Sequence, residues 1–534
     1  MTVSSTVTSS SRPRTDRQFS WIWTVVILLL LLIRLPSLVQ PAGGDQGLYG
    51  YAGQRILAGD VMYRDMWDQK PPAIAVVYAV LWRIWPAESM VPAADLAAAG
   101  VVAFLLVALG RLRYTTTVGA GAAVIFLLFG DPYLQRLSGI YVRGQCEPFI
   151  AAAVITSLVL LAQRVRRRWH LVAAGVALGV ASWLKYNAAA YALPVAVAAW
   201  AWRDDTKRVP WADWSWIAAG FLALAAVVIG YFAANGALYD LRLATIDYNL
   251  RYSNETYGGW THVLRYLVTF PIERARVDPI WFLAGVGTLL LLPQAPRKGA
   301  VLVVLAWLAA AALSIAINGS RSLPNYFVQA NPALALAASA GLATLARRGI
   351  GIRIAVAALL VAGLWRVGAD EPIRGWRFAS MPGLFANIRF DLQYVRGTID
   401  RDTYLARFQG QKHDALENER LVRHVRASTS PDDSIYVFGF SGGSVCWKSE
   451  RTSASRFFWS RPVIVGLAAG QPGYGVAGLL EDLQRRRPTL VALQKEEWRS
   501  QEFFMSQEPL RTWLETGYEL QHETPVFSVW RAKP

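Results

Sequence analysis

Asp45, in PAGGDQGLYGYAGQRI, and Glu147, in YVRGQCEPFI, each stand at the edge of a long apolar run. An ionised carboxylate is costly there unless it faces a cavity or a partner. Lys70 in MWDQKPPAIAV, Lys185 in ASWLKYNAAAY and Arg321 in INGSRSLPNYFV are cations in similar positions. A carboxylate can take the proton of an attacking hydroxyl as general base, and clustered cations stabilise the charge that develops on a leaving phosphate. Asp45 and Glu147 are therefore the candidate catalytic residues, and Lys70, Arg321 and Lys185 the candidates for an anionic headgroup. Tyr49, Asp68, Tyr186, Asn325 and Tyr326 lie in the same segments and are expected to contact substrate. Each assignment has a plainer counterpart. Asp45 precedes a helical stretch and would serve as its N-cap. Glu147 would be favoured in a first helical turn by the dipole, or would pair with Arg143. A lone Lys or Arg at such an end is most often a snorkelling anchor. Against the plain readings, all five groups fall on one side of the membrane topology that the chain spells out.

The elements that must hold these residues are membrane helices. Of 534 residues 54% are apolar and only 17% charged, and the apolar residues come in blocks. The first, Trp21–Ile33, holds one polar residue, Thr24. Blocks of roughly 16 to 22 residues recur to about Val367, long enough for a hydrocarbon core of ~30 Å. Spans are expected at 20–39, 92–110, 115–130, 146–163, 170–184, 187–202, 214–234, 279–293, 299–317, 326–344 and 351–367, about eleven in all. The start, MTVSSTVTSSSRPRTDR, is too long and polar for a signal peptide, so the first block reads as a retained span.

The net charge of +17 does not indicate nucleic acid, because the basic residues sit in short clusters between apolar blocks. Arg12, Arg14 and Arg17 place a tail of residues 1–19 in the cytoplasm. With alternating spans, Arg111/Arg113, Arg164–Arg168, Arg203/Lys207/Arg208, Arg297/Lys298 and Arg347/Arg348 all land on that side. The opposite side carries three long connections, 41–91, 131–145 and 235–278. In the first, Gln46–Leu57 reads as a short amphipathic helix, and Ala73–Trp85 as an interfacial helix with Trp82 and Trp85 at the headgroups. Beyond Val367 the composition turns polar. Strand-like SIYVFG (434–439), TLVALQ (489–494) and FSVWRA (527–532), with helical stretches at 416–425 and 478–487, predict a small α/β domain. An odd number of spans places it outside the cytoplasm. The expected fold is thus an α-helical polytopic membrane protein, with a spanning part over 20–367 and an extracytoplasmic linker and α/β domain over 368–534.

Several chemistries have no support. The five histidines are scattered with no HExxH pattern, and no P-loop or GxGxxG-plus-acid pattern appears. Two cysteines, Cys146 and Cys446, cannot form a disulfide scaffold, although one pairing between them stays open.

These residues also carry a resemblance. DQGLYGYAGQRILAGDVMYRDMWDQKPP (45–72), GQCEPF around Glu147, GVALGVASWLKYNAAAYALP around Lys185 and NGSRSLPNYFVQANPALAL around Arg321 resemble the polytopic GT-C glycosyltransferases. Within these the chain is similar to bacterial relatives of the dolichyl-phosphate-mannose protein mannosyltransferases and of the aminoarabinose lipid A transferases. The resemblance implies an inner-membrane enzyme that moves a sugar from a polyprenyl-phosphate donor to a hydroxyl of a lipid, glycan or protein acceptor. It implies inversion at the anomeric carbon, Asp45 as the catalytic acid residue and Lys70 on the donor phosphate. Two positions depart from the family pattern. Gln46 stands where a second acid is common, which argues against a divalent metal (Mg2+ or Mn2+) held by an acidic pair. Asn325-Tyr326 stands where relatives often have His-Tyr. A lipid-linked substrate transporter and a non-catalytic assembly protein on the same fold are the alternative classes. A transporter would place its ionisable residues near the midplane of two related halves, and no such halves are visible.

Overall fold

The structure is a computed structural model that describes residues 14–134, 139–203, 209–367, 372–373, 376–377, 381–410, 412–496 and 498–534. Most of the expected cytoplasmic tail, with Arg12, and the basic residues Lys207 and Arg208 lie outside the described residues.

Long apolar blocks make the helices, and Pro271 stands inside α12. The first part holds α1 (Arg14–Arg34, prolonged by a 3-10 turn over Leu35–Val39), α2 (Gly44–Leu57), α3 (Ala73–Ile84), α4 (Met90–Arg113) and α5 (Thr116–Phe129). There follow α6 (Cys146–Leu161), α7 (Arg168–Leu184), α8 (Ala192–Ala201) and α9 (Trp211–Ala234). Next come α10 (Leu238–Arg242), a π-helical turn over Leu243–Asp247 and α11 (Tyr248–Asn254). The membrane part ends with α12 (Trp260–Ala275), α13 (Pro279–Leu291), α14 (Gly299–Ile317), α15 (Pro324–Val328), α16 (Asn331–Leu345) and α17 (Ile350–Val367).

Every expected span falls on helical structure, but the helices are unequal. Among the described residues, five stretches are long and apolar enough to cross a membrane alone: Trp21–Val39, Met90–Arg113, Thr116–Leu134, Trp211–Ala234 and Gly299–Ile317. A sixth is the pair α12–α13, which bends by 109° between its halves. Residues 235–278 are therefore not a plain connection: α12 is a helix of 16 residues set across the direction of α13. The helices meet closely through glycine. A Cβ on Gly175 of α7 would lie 1.9 Å from the Ile217 carbonyl of α9, and one on Gly220 of α9 would lie 2.0 Å from the Val172 carbonyl. Backbone-to-backbone approach of this kind is how helices associate where water supplies no hydrophobic drive between them.

The C-terminal part opens with a two-stranded ribbon, β1 (Pro372–Ile373) and β2 (Trp376–Arg377), then α18 (Met381–Val395), α19 (Arg401–Ala406) and α20 (Ala415–Ser428). Its sheet contains β3 (Ser434–Phe438), β4 (Thr452–Ser453), β5 (Leu490–Gln494), β6 (Tyr518–Glu523) and β7 (Phe527–Ala532), in spatial order β4-β3-β5-β7-β6. β3 runs parallel to β4 and β5, while β7 is antiparallel to β5 and β6. Strand β5 is buried along its whole length, as expected for apolar runs in a covered parallel region. The interleaved helices are α21 (Gly442–Ser449), α22 (Arg461–Ile464), α23 (Gly475–Arg486), α24 (Ser500–Ser506) and α25 (Glu508–Gly517).

The sheet is docked on the helix that carries Asp45. α2 is not a surface amphipathic helix: residues 46–53 are buried. Glycines at every third position make the room. A Cβ on Gly44 would lie 2.0 Å from the Phe440 ring, one on Gly47 2.5 Å from Ser444 Cβ and one on Gly50 2.3 Å from the Trp447 ring. α3 is exposed on one side only: Val76, Val80 and Ile84 are exposed, whereas Trp82 meets Trp447 edge to face at 5.6 Å. A buried polar network fastens the same region. Arg34 pairs with Asp95 at 2.7 Å and Asp131 at 3.2 Å. Arg143 donates to Gln40 at 2.9 Å, and Gln40 donates to Asp391 of α18 at 2.7 Å.

Candidate functional site

Asp45 sits one residue inside the first turn of α2. The N-cap is Gly43, with no side-chain capping bond, so the expected capping role of Asp45 is not what the structure contains. Its carboxylate instead accepts from Gln145 Nε2 at 3.1 Å, and Gln145 Oε1 accepts from the Tyr49 hydroxyl at 3.1 Å. The side chain stays half-buried and is oriented by a neutral partner, with no ion pair among the described residues. Gln46, beside it, is buried and donates to the carbonyls of Ile140 at 2.7 Å and Arg143 at 2.6 Å. Only a donor suits that place: a carboxylate would face two carbonyl oxygens, with the cost of an unpaired buried charge. This gives a structural reason for an amide at position 46.

The loop between α2 and α3 brings Asp68 and Lys70 to the same face. Tyr63 anchors it, at φ 72° and with its hydroxyl donating to the Lys70 carbonyl at 2.7 Å. Asp68 is buried and accepts from the Gln69 main chain at 2.6 Å; burial pushes its carboxyl up to about 7. Burial works against the Lys70 ammonium, but the Asp45 carboxylate, with Cys146 and Asp68, outweighs it and holds Lys70 above the usual lysine range. Among the described residues the Lys70 ammonium forms no ion pair.

The other cations are committed. Lys185, at the C-terminal end of α7, is ion-paired to Glu147 in the first turn of α6, and its ammonium lies 4.5 Å over the Tyr326 ring. Glu147 is fully buried. Its partner is thus Lys185, not Arg143, whose guanidinium lies by Asp95 at 3.5 Å and over the Tyr133 ring. Arg321 stacks on Tyr252 at 4.0 Å and pairs at 2.6 Å with Glu255, which also receives Arg461 of the C-terminal part at 2.9 Å.

A groove of about 830 Å³, its open mouth included, joins these elements. Lys70, Lys185, Tyr186 and Tyr326 line it. Tyr49, Asp68 and Glu147 lie buried behind it, Asn325 is buried outside its lining, and Arg321 reaches it only through Tyr252. The opposite wall is Thr245, Asn249 and Tyr252, which the sequence reading left inside a featureless connection. Tyr186 and Thr245 share a hydrogen bond of 3.0 Å, and Asn249 donates to the Gln69 carbonyl at 2.8 Å. Thr245 sits in the π-helical turn, a distortion common at functional sites, but nothing in its local sequence announces one.

Among the described residues no group of three or more His, Cys, Asp or Glu side chains converges as a metal site. Gln145 donates to the Asp45 carboxylate, and Lys70 and Asp68 both lie near enough to feel its charge. Cys146 and Cys446 are both free and buried.

No protein-family model matches this sequence, and no curated protein does. Among solved structures the chain is similar to ArnT from Cupriavidus metallidurans bound to undecaprenyl phosphate, with TM-score 0.60 and 14% identity over 98% of this chain and 100% of that one. The apo structure of ArnT from the same organism matches with TM-score 0.58 and 16% identity, over 97% and 100% of the two chains. The fold is therefore GT-C-like, a multi-pass helical membrane body carrying a C-terminal sheet.

Proposed function

We propose that this chain is an inverting glycosyltransferase that moves a hexosyl or pentosyl group from a polyprenyl-phosphate donor to an acceptor hydroxyl at the outer membrane face. The observation that carries the reading is a contrast of partners. Asp45 is held by a neutral amide and Lys70, which lines the groove, forms no ion pair among the described residues, on a fold that in ArnT was solved with undecaprenyl phosphate. In this reading Asp45 takes the acceptor proton while the acceptor oxygen bonds to the anomeric carbon. The bond from that carbon to the phosphate oxygen breaks on the opposite side, and the phosphate leaves as a dianion against Lys70. Tyr186 and Tyr326 line the groove beside it. Lys185 stands at the far wall, its charge already balanced by Glu147, which positions it and does not react. Arg321 holds Tyr252 and Glu255 at the mouth.

The topology belongs to the same proposal: about eleven spans with the N-terminus cytoplasmic and residues 368–534 outside, in a bacterial inner membrane. The one-sided basic clusters support it, as do the five expected spans that are long apolar helices. Turnover of a labelled polyprenyl-phosphate sugar by the purified protein tests the function. Release of polyprenyl phosphate that depends on Asp45 is the expected result, and no turnover across hexosyl and pentosyl donors would overturn it.

A further inference from the structure

Helix α18 is pinned to the ends of two membrane helices. Asp391, buried on its inner face, accepts from Gln40 at 2.7 Å, from the Tyr404 hydroxyl at 2.7 Å and from the Tyr133 hydroxyl. Asn387, one turn earlier, donates to the Tyr133 carbonyl at 2.6 Å. Leu384 and Ile388 join an apolar cluster with Ile33 of α1, Leu128 of α5 and Leu134. Gln40 and Tyr133 stand at the ends of the apolar stretches Trp21–Val39 and Thr116–Leu134. The helix therefore lies where hydrocarbon gives way to headgroups.

The face turned away from Asn387 and Asp391 has no cover. Phe385 is 65% exposed and Val395 57%; beyond Val367 only one other large apolar side chain, Leu520, is exposed among the described residues. With Ile388 and Leu392 between them, at helical spacing, they form one apolar stripe along α18. Arg389 and Arg396 border the stripe, each one turn beyond one of its members, and both are exposed. A cleft of about 750 Å³, its open mouth included, is lined by Phe385, Ile388 and Leu392 together with the two arginines. Among the described residues neither arginine forms an ion pair, and the one acid of α18 is the inward Asp391.

A bilayer is the occupant that these features fit. The helix and turn on which α18 packs are themselves exposed at Leu28, Leu31, Leu32 and Leu35, as a lipid-facing span is, so the stripe adjoins a lipid-facing element. A helix with an apolar stripe edged by arginines lies in the plane of the membrane interface. Its apolar side chains enter the acyl chains and its guanidinium groups reach the phosphates. We infer that α18 is an in-plane membrane helix that sinks Phe385, Leu392 and Val395 into the leaflet and holds anionic phospholipid headgroups on Arg389 and Arg396. The helix thereby ties the C-terminal part to that leaflet. The inference needs α1 and α5 to be membrane spans; it does not need the chain to be a glycosyltransferase.

A nitroxide spin label at Phe385→Cys tests the placement, in the full-length protein in nanodiscs of phosphatidylcholine and phosphatidylglycerol; the native cysteines are both buried. Collision with oxygen and exclusion of a water-soluble nickel chelate are expected, against free access of the chelate to a label at Glu519→Cys on β6. Chelate access at position 385 equal to that at position 519 overturns the inference. Exclusion of both oxygen and chelate also overturns it, and would put a protein partner on this face. Should Phe385→Cys fail to fold, Val395→Cys takes its place with the same expected result. Native mass spectrometry of the detergent-solubilised protein tests the headgroup contact. The double variant Arg389→Gln with Arg396→Gln should bind phosphatidylglycerol less tightly, by roughly fivefold for each arginine lost. Phosphatidylcholine binding and melting temperature should stay at their wild-type values. Phosphatidylglycerol binding as tight in the double variant as in wild type, or no tighter in wild type than phosphatidylcholine binding, overturns the contact.

Discussion

Two acid–cation pairs of opposite character stand at the groove, which Lys70 and Lys185 line and Asp45 and Glu147 do not. Glu147 and Lys185 are both buried, joined directly and covered by Tyr326. Asp45 and Lys70 are close enough for the carboxylate to raise the lysine, with no ion pair between them among the described residues. The first pair has already spent its attraction on each other, and a charge balanced in this way has little left for a substrate. In the second pair an acid is held by Gln145 and a cation stands unpaired, which is the arrangement a proton acceptor and an incoming phosphate require. Similar residue types thus sit in different settings, and the difference is whether a charged partner is already in place among the described residues.

The largest expected effect would break this comparison from the structural side. Glu147→Gln leaves the Lys185 charge buried without its partner and should cost about 3–5 kcal/mol of stability. Thermal unfolding in detergent measures it, and Glu147→Gln combined with Lys185→Met should recover most of the loss. A single variant as stable as wild type would mean that the pair is not structural.

Asp68 sharpens the comparison through pH. Its folded carboxyl, pushed up to about 7 by burial from an ordinary value of 3.8, prefers the proton more than the unfolded chain does. The stabilisation is therefore complete below about 4 and is lost as pH rises towards 7, a slope worth a few kcal/mol at most. Asp68→Asn should flatten the dependence of melting temperature on pH across that window; an unchanged slope would place the titration elsewhere.

Asp45→Asn should lower transfer by roughly 100-fold or more. Asp45 makes no capping bond, so melting temperature should stay at the wild-type value. Normal specific activity in this variant would end the catalytic reading. Lys70→Met should weaken undecaprenyl phosphate binding by roughly tenfold, the loss of one charge-assisted contact, and Lys185→Met should weaken it less. Equal effects at the two lysines would erase the difference between the pairs. Arg321→Ala, at a half-exposed pair with Glu255, is expected to change stability by less than about 1 kcal/mol.

What could be read without coordinates was whatever depends on residues close in the chain. Apolar blocks placed helices at all eleven expected spans, and alternating or continuous apolar runs placed β3, β5 and β7 within a residue of their ends. Asp45, Lys70, Lys185 and Tyr326 could be singled out because polar groups at the ends of apolar runs are rare. Which charge faces which was decided only by tertiary packing. Glu147 lies four residues from Arg143 in sequence yet pairs with Lys185, because Arg143 is drawn into the network of Asp95 and Gln40. The capping reading of Asp45 failed for a backbone reason: α2 begins two residues earlier than the local pattern suggests, at Gly44, where Phe440 leaves no room for a side chain. The glycines at 44, 47 and 50 look like breakers in a weak helix until the C-terminal sheet is laid on them. Gln46 looks like a missing acid until its two carbonyl partners are in place. In each case the deciding contact comes from a distant stretch of chain, and a contact of that kind leaves no periodicity for the local sequence to show.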